Sequence, residues 1–260
     1  MPRTINKDKT LDNQLTLSGV RNYKVVKSNR LIQKSRFQLS LQEQKVILYL
    51  ISMIKPSDEE FITTDFSIAE FCQVCGVHER SGKNYNDIKD AIKSLADKSI
   101  WITLEDGRQT ILRWIDKPFI DSEAGTMQIK FDDLLRPYLL HLRENFTQFE
   151  LLYTLAMKSQ YSIRLYEILR SYEYKHEIEF QIDELKELLT ATCYARYPDF
   201  RRNVLEIALR EIEAVSDINV AYEVVKEGRK FTRIRFTISV KQELDERFGT
   251  WKRIQSVIGQ

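Results

Sequence analysis

The chain carries one pattern twice, and a repeat on this scale constrains the fold before any single element does. Around Phe66 the sequence reads FSIAEFCQVCG, then KNYNDIKDAIKSLADKS, then IWITL. Around Phe180 it reads FQIDELKELLT, then YPDFRRNVLEIALREIEAVSD, then INVAYEVV. Phe66, Ile68, Glu70 and Phe71 align with Phe180, Ile182, Glu184 and Leu185. Each copy predicts a short strand, one helix, a turn, a longer helix and a β-hairpin. That order is a helix-turn-helix followed by a wing, which sets the longer helix into a DNA major groove. The expected class is α+β: two tandem winged-helix domains related as an internal repeat. The expected boundaries are a basic flexible arm over 1–23, an N-terminal winged helix over 24–145, a C-terminal one over 146–241 and a tail over 242–260. Two copies in one chain suit an extended DNA site.

Composition narrows the class further. At 260 residues and 43% hydrophobic, the chain can bury two compact cores. Only 8 Gly and 5 Pro argue against long low-complexity stretches. No apolar run reaches the ~18 residues of a membrane span. The opening MPRTINKDKTLDNQ lacks the apolar core of a secretion signal, so a cytoplasmic protein is expected. The net charge of +2 is too small for a non-specific DNA coat, so the distribution of charge matters more than its sum. The first 45 residues are basic: Arg3, Lys7, Lys9, Arg21, Lys24, Lys27, Arg30, Lys34, Arg36 and Lys45 against Asp8, Asp12 and Glu43. Three cysteines do not make a disulfide framework. Cys72 and Cys75 have no second ligand pair at zinc spacing and lie among Ile68, Phe71 and Val74, so they read as small buried side chains.

Local signals place the other elements. Ser28-Asn29 can cap a helix through Arg30–Lys34, and Ser40 with Glu43 forms a capping box for a helix striped by Leu41, Val46, Ile47, Leu50, Ile51 and Ile54. In the first copy Tyr85, Ile88, Ile92 and Leu95 face the core. Its wing is read over Ile100–Leu104 and Thr110–Ile115, with a third strand over Thr126–Phe131. Thr147 and Glu150 suit another capping box. Ser159–Tyr174 is an amphipathic helix with Ile163, Leu165, Tyr166 and Leu169 inward, and Glu177–Ile182 alternates like a strand. Pro198 stands at the favoured first position of the second long helix. The tail reads as a short helix.

In the second copy Arg201, Arg202 and Asn203 fall in the first turn of the long helix, with Arg196 in its approach. This end of a recognition helix contacts base edges. Arginine can bond guanine O6 and N7 together, and asparagine can do the same with adenine. Glu206 shares an outer face with Arg202 and Arg210 and could accept from cytosine N4 or pair with its neighbours. Charged residues at a helix start are also ordinary surface, so the motif rather than the residue types points to DNA. Arg229, Lys230 and Arg233 lie at or beside the tip of the second wing. They could track the sugar–phosphate backbone or serve solubility alone. Lys83, Asn84, Lys89 and Lys93 are the equivalents in the first copy. Asp87 and Asp90 are interleaved among them, so that copy is expected to position rather than specify.

The stretches NRLIQKSRFQLSLQEQKVILYLISMI, KNYNDIKDAIKSLADKSIWI, KSQYSIRLYEILRSY and YPDFRRNVLEIALREIEAVSDINVAYEVVKEGRKFTRIRFTI resemble the initiator proteins of iteron-type plasmids, the RepA/RepB/RepE-like replication initiators. The resemblance covers residues 24–240. It implies two winged-helix domains that bind directly repeated origin DNA, the second as main reader and the first adding DNA contact and a dimer interface. It also implies monomers that help open the origin and dimers that repress their own promoter. Recruitment of the host initiator and the replicative helicase follows from the same resemblance. Arg196, Arg201 and Arg202 lie in the matching recognition segment.

Enzymatic readings fail on spacing. A nicking initiator needs a metal-binding histidine pair and a nucleophilic tyrosine, and His78, His141 and His176 form no such pair. The string Gly76–Asn84 has five residues between its glycines where a phosphate loop has four, and Asn84 stands where Ser or Thr belongs. No enzyme activity, cofactor or metal is expected. The main alternative is a tandem winged-helix transcriptional repressor without initiator activity. A protein-binding adaptor is the third reading, and it predicts no salt-dependent DNA affinity.

Overall fold

The computed structural model describes residues 23–55, 57–75, 82–116, 118–121, 126–241, 249–250, 252–254 and 256–257. Of the expected arm, only Tyr23 is among them. β1 (Lys24–Ser28) leads into α1 (Asn29–Lys34), where the Ser28 hydroxyl accepts from Leu31 N. β2 (Ser35–Arg36) and α2 (Leu41–Ser52) follow. The capping box forms as expected: Glu43 N donates to the Ser40 hydroxyl, and Ser40 N donates to the Glu43 carboxylate at 2.7 Å. α2 is buried all along Val46–Ile51, not on one stripe alone. β3 (Thr64–Ser67), α3 (Ile68–Val74) and α4 (Gly82–Asp97) make the first helix-turn-helix. β4 (Ser99–Thr103) and β5 (Gln109–Arg113) are its wing, and β6 (Phe119–Asp121) and β7 (Thr126–Ile129) form a second hairpin. Cys72 and Cys75 are packed in this core, and burial pushes the Cys75 thiol up to about 12.

The two copies keep the same element order but build different sheets. In the second copy β9 (Glu177–Gln181) pairs with the wing of β10 (Ile218–Glu227) and β11 (Lys230–Val240), in the order β10-β11-β9. In the first, β3 pairs with β7 in the order β3-β7-β6, and the wing takes β2 as its third strand. The strand read over Thr126–Phe131 therefore joins β3 rather than the wing.

α5 (Arg136–Leu139) precedes β8 (Phe146–Glu150), and β8 corrects a local expectation. Thr147 and Glu150 form no capping box. They lie in a strand antiparallel to β1, with Val25 opposite Phe149 and Lys27 opposite Thr147. Thr147 and Phe149 point inward while Phe146 and Gln148 point outward, the two-residue period of a strand, and ladder bonding to β1 outweighs the cap signal. This sheet crosses the boundary expected between 145 and 146.

α6 (Leu151–Leu155) and α7 (Gln160–Ser171) come next. α7 buries Ile163, Leu165, Tyr166 and Leu169 as expected, but it also buries Arg164 and Glu167. Lys27 Nζ meets Glu167 Oε1 at 2.7 Å, with both side chains 2% exposed. Lys27, counted above among the basic residues of the first 45, is thus a core residue. Arg164 donates to the carbonyls of Ile32 (2.7 Å), Ser35 (3.1 Å) and Leu188 (3.3 Å), so one guanidinium ties α1 to the second helix-turn-helix. Burial pushes the Lys27 ammonium down in pKa and Arg164 down to about 10, against the pull of Glu167.

α8 (Ile182–Leu188) ends in a Schellman turn, with Ala191 N donating to Lys186 O and Thr190 N to Glu187 O. Thr190 holds φ +52° at the position that favours glycine. Thr190→Gly is therefore expected to raise stability by about 0.5–1 kcal/mol, the relieved left-handed strain outweighing glycine's extra chain entropy. A urea midpoint that fell instead would show that the Thr190 hydroxyl bond to Leu189 O, at 2.7 Å, dominates.

α9 (Tyr197–Phe200), a π turn (Arg201–Leu205) and α10 (Glu206–Val215) run on as one helix. Phe200, Val204, Ala208 and Ile212 recur every four residues and all are buried. On an α-helix each such step drifts about 40° around the axis. The wider π turn absorbs part of that drift and holds the four on one face. α7 packs against this helix as α2 packs against α4, so each copy rests its second helix on a buried support. In the tail, Ile254 is buried and Thr250 Oγ1 accepts from Lys241 Nζ, so its described residues pack back on the second module. No described helix is long and apolar enough to cross a membrane.

Candidate nucleic-acid interface

The second helix-turn-helix presents its cations at one end. Arg196 is the N-cap residue of α9, and Pro198 sits in the first turn as expected. Arg196, Arg201 and Arg202 are exposed, with side-chain accessibilities of 79%, 53% and 75%. Each faces a carboxylate. Arg196 Nε donates to Asp199 Oδ2 at 2.8 Å, and Arg202 Nη2 lies 3.7 Å from Asp199 Oδ1. Arg201 Nε donates to Glu206 Oε1 at 2.8 Å, which raises the guanidinium above its ordinary pKa. The hydrogen bond from Arg196 holds the Asp199 carboxyl below the usual carboxylate range. Asn203 Nδ2 donates to Asp199 O at 2.8 Å, so one of its two amide hydrogens is already committed to the helix backbone.

The wing approaches the same end. Glu227 pairs with Lys230 across the tip, and Gly228 takes φ +63°, the first position of a turn that needs glycine there. Arg229 and Lys230 are exposed on that tip. Arg233 is not free beside them. Its Nη1 and Nη2 reach Glu179 (2.9 Å) and Glu227 (3.3 Å), and it belongs to a charge ladder on the outer sheet face. Arg235 continues that ladder to Glu177 and Glu179. Alternation along β11 puts Arg233 and Arg235 on one face, opposite the inward Ile234 and Phe236.

Four residues around the junction of helix start and wing carried no motif signal. Tyr197 stacks on Phe231 with ring centroids 4.5 Å apart, and Lys226 Nζ lies 4.6 Å over the Phe231 ring. Lys186, almost buried, donates to Ala195 O at 2.9 Å and so anchors the loop before α9. Lys186, Tyr197, Pro198, Arg229, Lys230 and Phe231 line a cleft of about 320 Å³ between helix and wing. Asp199 was legible only as spacing, three residues from both Arg196 and Arg202.

In the first copy Lys93 is exposed and lies 3.8 Å from Asp90, an acid expected to weaken it, while Lys89 is half-buried. The side chains of Lys83 and Asn84 lie outside the described residues, as do His78 and most of the string before them.

The family description "Initiator Replication protein, WH1" matches residues 24–170, and "Initiator Rep protein, WH2" matches residues 181–238. The chain belongs to the initiator replication protein family. Its two halves are the winged-helix domains that the repeat predicted. The first match runs on through β8, α6 and most of α7, which accords with the β1–β8 pairing. The PI protein of Escherichia coli is 31% identical over 152 residues, 51% of this chain and 49% of that protein. The chain thus spans about half the length of this curated relative. Among solved structures, domains 2 and 3 of RctB are 14% identical, covering 78% of this chain and 81% of that one at a TM-score of 0.40. The WH1 domain of MSBI1.176, a replication protein isolated from a multiple sclerosis patient, is 19% identical over 37% of this chain and 76% of that one, at a TM-score of 0.28.

Proposed function

We propose that this chain initiates plasmid replication by binding directly repeated origin DNA. The start of the 197–215 helix reads base edges, and the wing tip at Arg229 and Lys230 follows the backbone. The first module adds backbone contact and a dimer interface. Bound monomers promote strand opening and recruit the host initiator and replicative helicase, while dimers repress the chain's own promoter. One observation carries the reading: three exposed arginines stand at the leading end of the second helix of a helix-turn-helix, in a chain of the initiator family. A wing stacked on that same end through Tyr197 and Phe231 supports simultaneous contact with groove and backbone.

Footprinting of the full chain on its native plasmid tests this. Protection of several direct repeats, with distortion in adjacent A·T-rich DNA, is the expected result. Protection of a single inverted repeat at a promoter would favour the repressor, and no protection at low salt would remove DNA binding altogether.

A further inference from the structure

The acids between the arginines are placed where a simple phosphate-binding surface would not have them. Each carboxylate repels DNA phosphates, and each occupies a cation that could otherwise neutralise one. Asp199 does this twice, with Arg196 on one oxygen and Arg202 on the other. Its backbone carbonyl also receives Asn203, so the residue is fixed at the centre of the recognition end. The pairing is selective in the atoms it uses. Arg196 donates its Nε to Asp199, and its side chain is 79% exposed, so its terminal nitrogens can take a second partner. A guanidinium has five N–H donors in a rigid fork, so it can keep a carboxylate on one edge while it bonds guanine O6 and N7 with the other. On random sequence the matching base is seldom in register, and the guanidinium must leave Asp199 to gain full contact with a phosphate. The carboxylate therefore opposes the non-specific mode and tolerates the specific one, which is how a discriminating interface is built.

We propose that Asp199 is a specificity-determining residue: it holds Arg196 and Arg202 off random-sequence phosphates while leaving the terminal nitrogens of Arg196 for a base edge. This rests on the DNA-binding reading above. It adds that the recognition end carries its own filter, so that a chain with a net charge of only +2 is not simply a weak binder but a selective one.

The test is Asp199→Asn in the full chain, read by fluorescence anisotropy on two labelled duplexes, one holding the native repeats and one of shuffled sequence, from low to high salt. Glu213→Gln, an exposed acid on α10, removes the same formal charge elsewhere. The variant is expected to bind the shuffled duplex with a salt slope steeper by about 0.9 per gained phosphate contact, about eightfold tighter binding at 0.1 M salt for one contact. Affinity for the repeats stays level or falls, so the ratio of specific to shuffled affinity drops at least several-fold. Glu213→Gln leaves that ratio unchanged. Thermal melting of each variant separates lost discrimination from lost fold. An unchanged ratio in Asp199→Asn, or an equal drop in Glu213→Gln, overturns the filter while leaving DNA binding intact. A wild-type chain that binds neither duplex overturns the DNA-binding reading itself, and the filter with it.

Discussion

Replacing Glu167 with glutamine is expected to cost the folded chain about 3–5 kcal/mol, because it leaves a buried cation without its counter-charge. Lys27 Nζ and Glu167 Oε1 are 2.7 Å apart, and both side chains are all but excluded from solvent. Glu167 Oε2 also lies 3.7 Å from Arg164 Nη1. The amide of glutamine keeps the shape and removes the charge, so cavity formation contributes little. Arg164 retains its three carbonyl acceptors, whereas Lys27 is left with a neutral amide oxygen and the distant Trp114 ring, 6.0 Å away. Urea unfolding measures the loss directly. The combined variant Lys27→Met with Glu167→Gln should lose less than the two single changes added, since the buried ammonium is then gone and Arg164 keeps its three carbonyl acceptors.

The same pair has a pH signature. Burial already lowers the Lys27 pKa, and Glu167 is the main influence raising it. Without Glu167 the ammonium sheds its proton at still lower pH in the folded chain than in the unfolded one. Between those two pKa values the unfolded chain binds the extra proton, so stability rises with pH. The deficit of Glu167→Gln should therefore shrink as pH is raised from neutral toward the ordinary lysine range. A deficit that grew with pH, or one below about 1 kcal/mol, would show that Lys27 finds water or another acceptor in the variant.

The second large effect concerns DNA. Changing Arg196, Arg201 and Arg202 together to alanine is expected to weaken binding to the repeats by about 1–3 kcal/mol for each arginine that reads a base edge, and to affect a shuffled duplex much less. The fold should survive, because all three side chains are exposed and their ion pairs are with exposed or half-exposed acids. Arg202→Ala alone separates two roles. A loss of about 1–3 kcal/mol confined to one base position marks a base contact, and a uniform loss across sequences marks a phosphate contact. A triple variant with wild-type affinity for the repeats would move the interface away from this helix end.

What could be read without the structure was local or periodic. The cap at Ser28, the Ser40–Glu43 box and the proline in the first turn of the long helix depend on neighbours within four residues, and the sequence places all three to within one position. The helix-turn-helix and wing order follows from the switch between helical and strand periods in each copy. The exposed arginines at the second helix start are legible for the same reason, since a known helix start fixes which residues share its first turn.

What needed the tertiary structure was every choice of a distant partner. Thr147 and Glu150 obey a cap rule, but β1, more than a hundred residues earlier, claims them as a strand. Arg164 and Glu167 stand three residues apart, like any solvated helix pair, and only the packing of α7 between the two modules makes them core. Lys27 looked like one more surface cation until Glu167 was placed against it, and Arg233 looked like a wing contact until Glu179 arrived from β9. Periodicity tells which face of an element is apolar, because that depends on geometry within the element. It carries no information about which other element covers that face, and in this chain the partner decides whether a charge meets water, another charge or DNA.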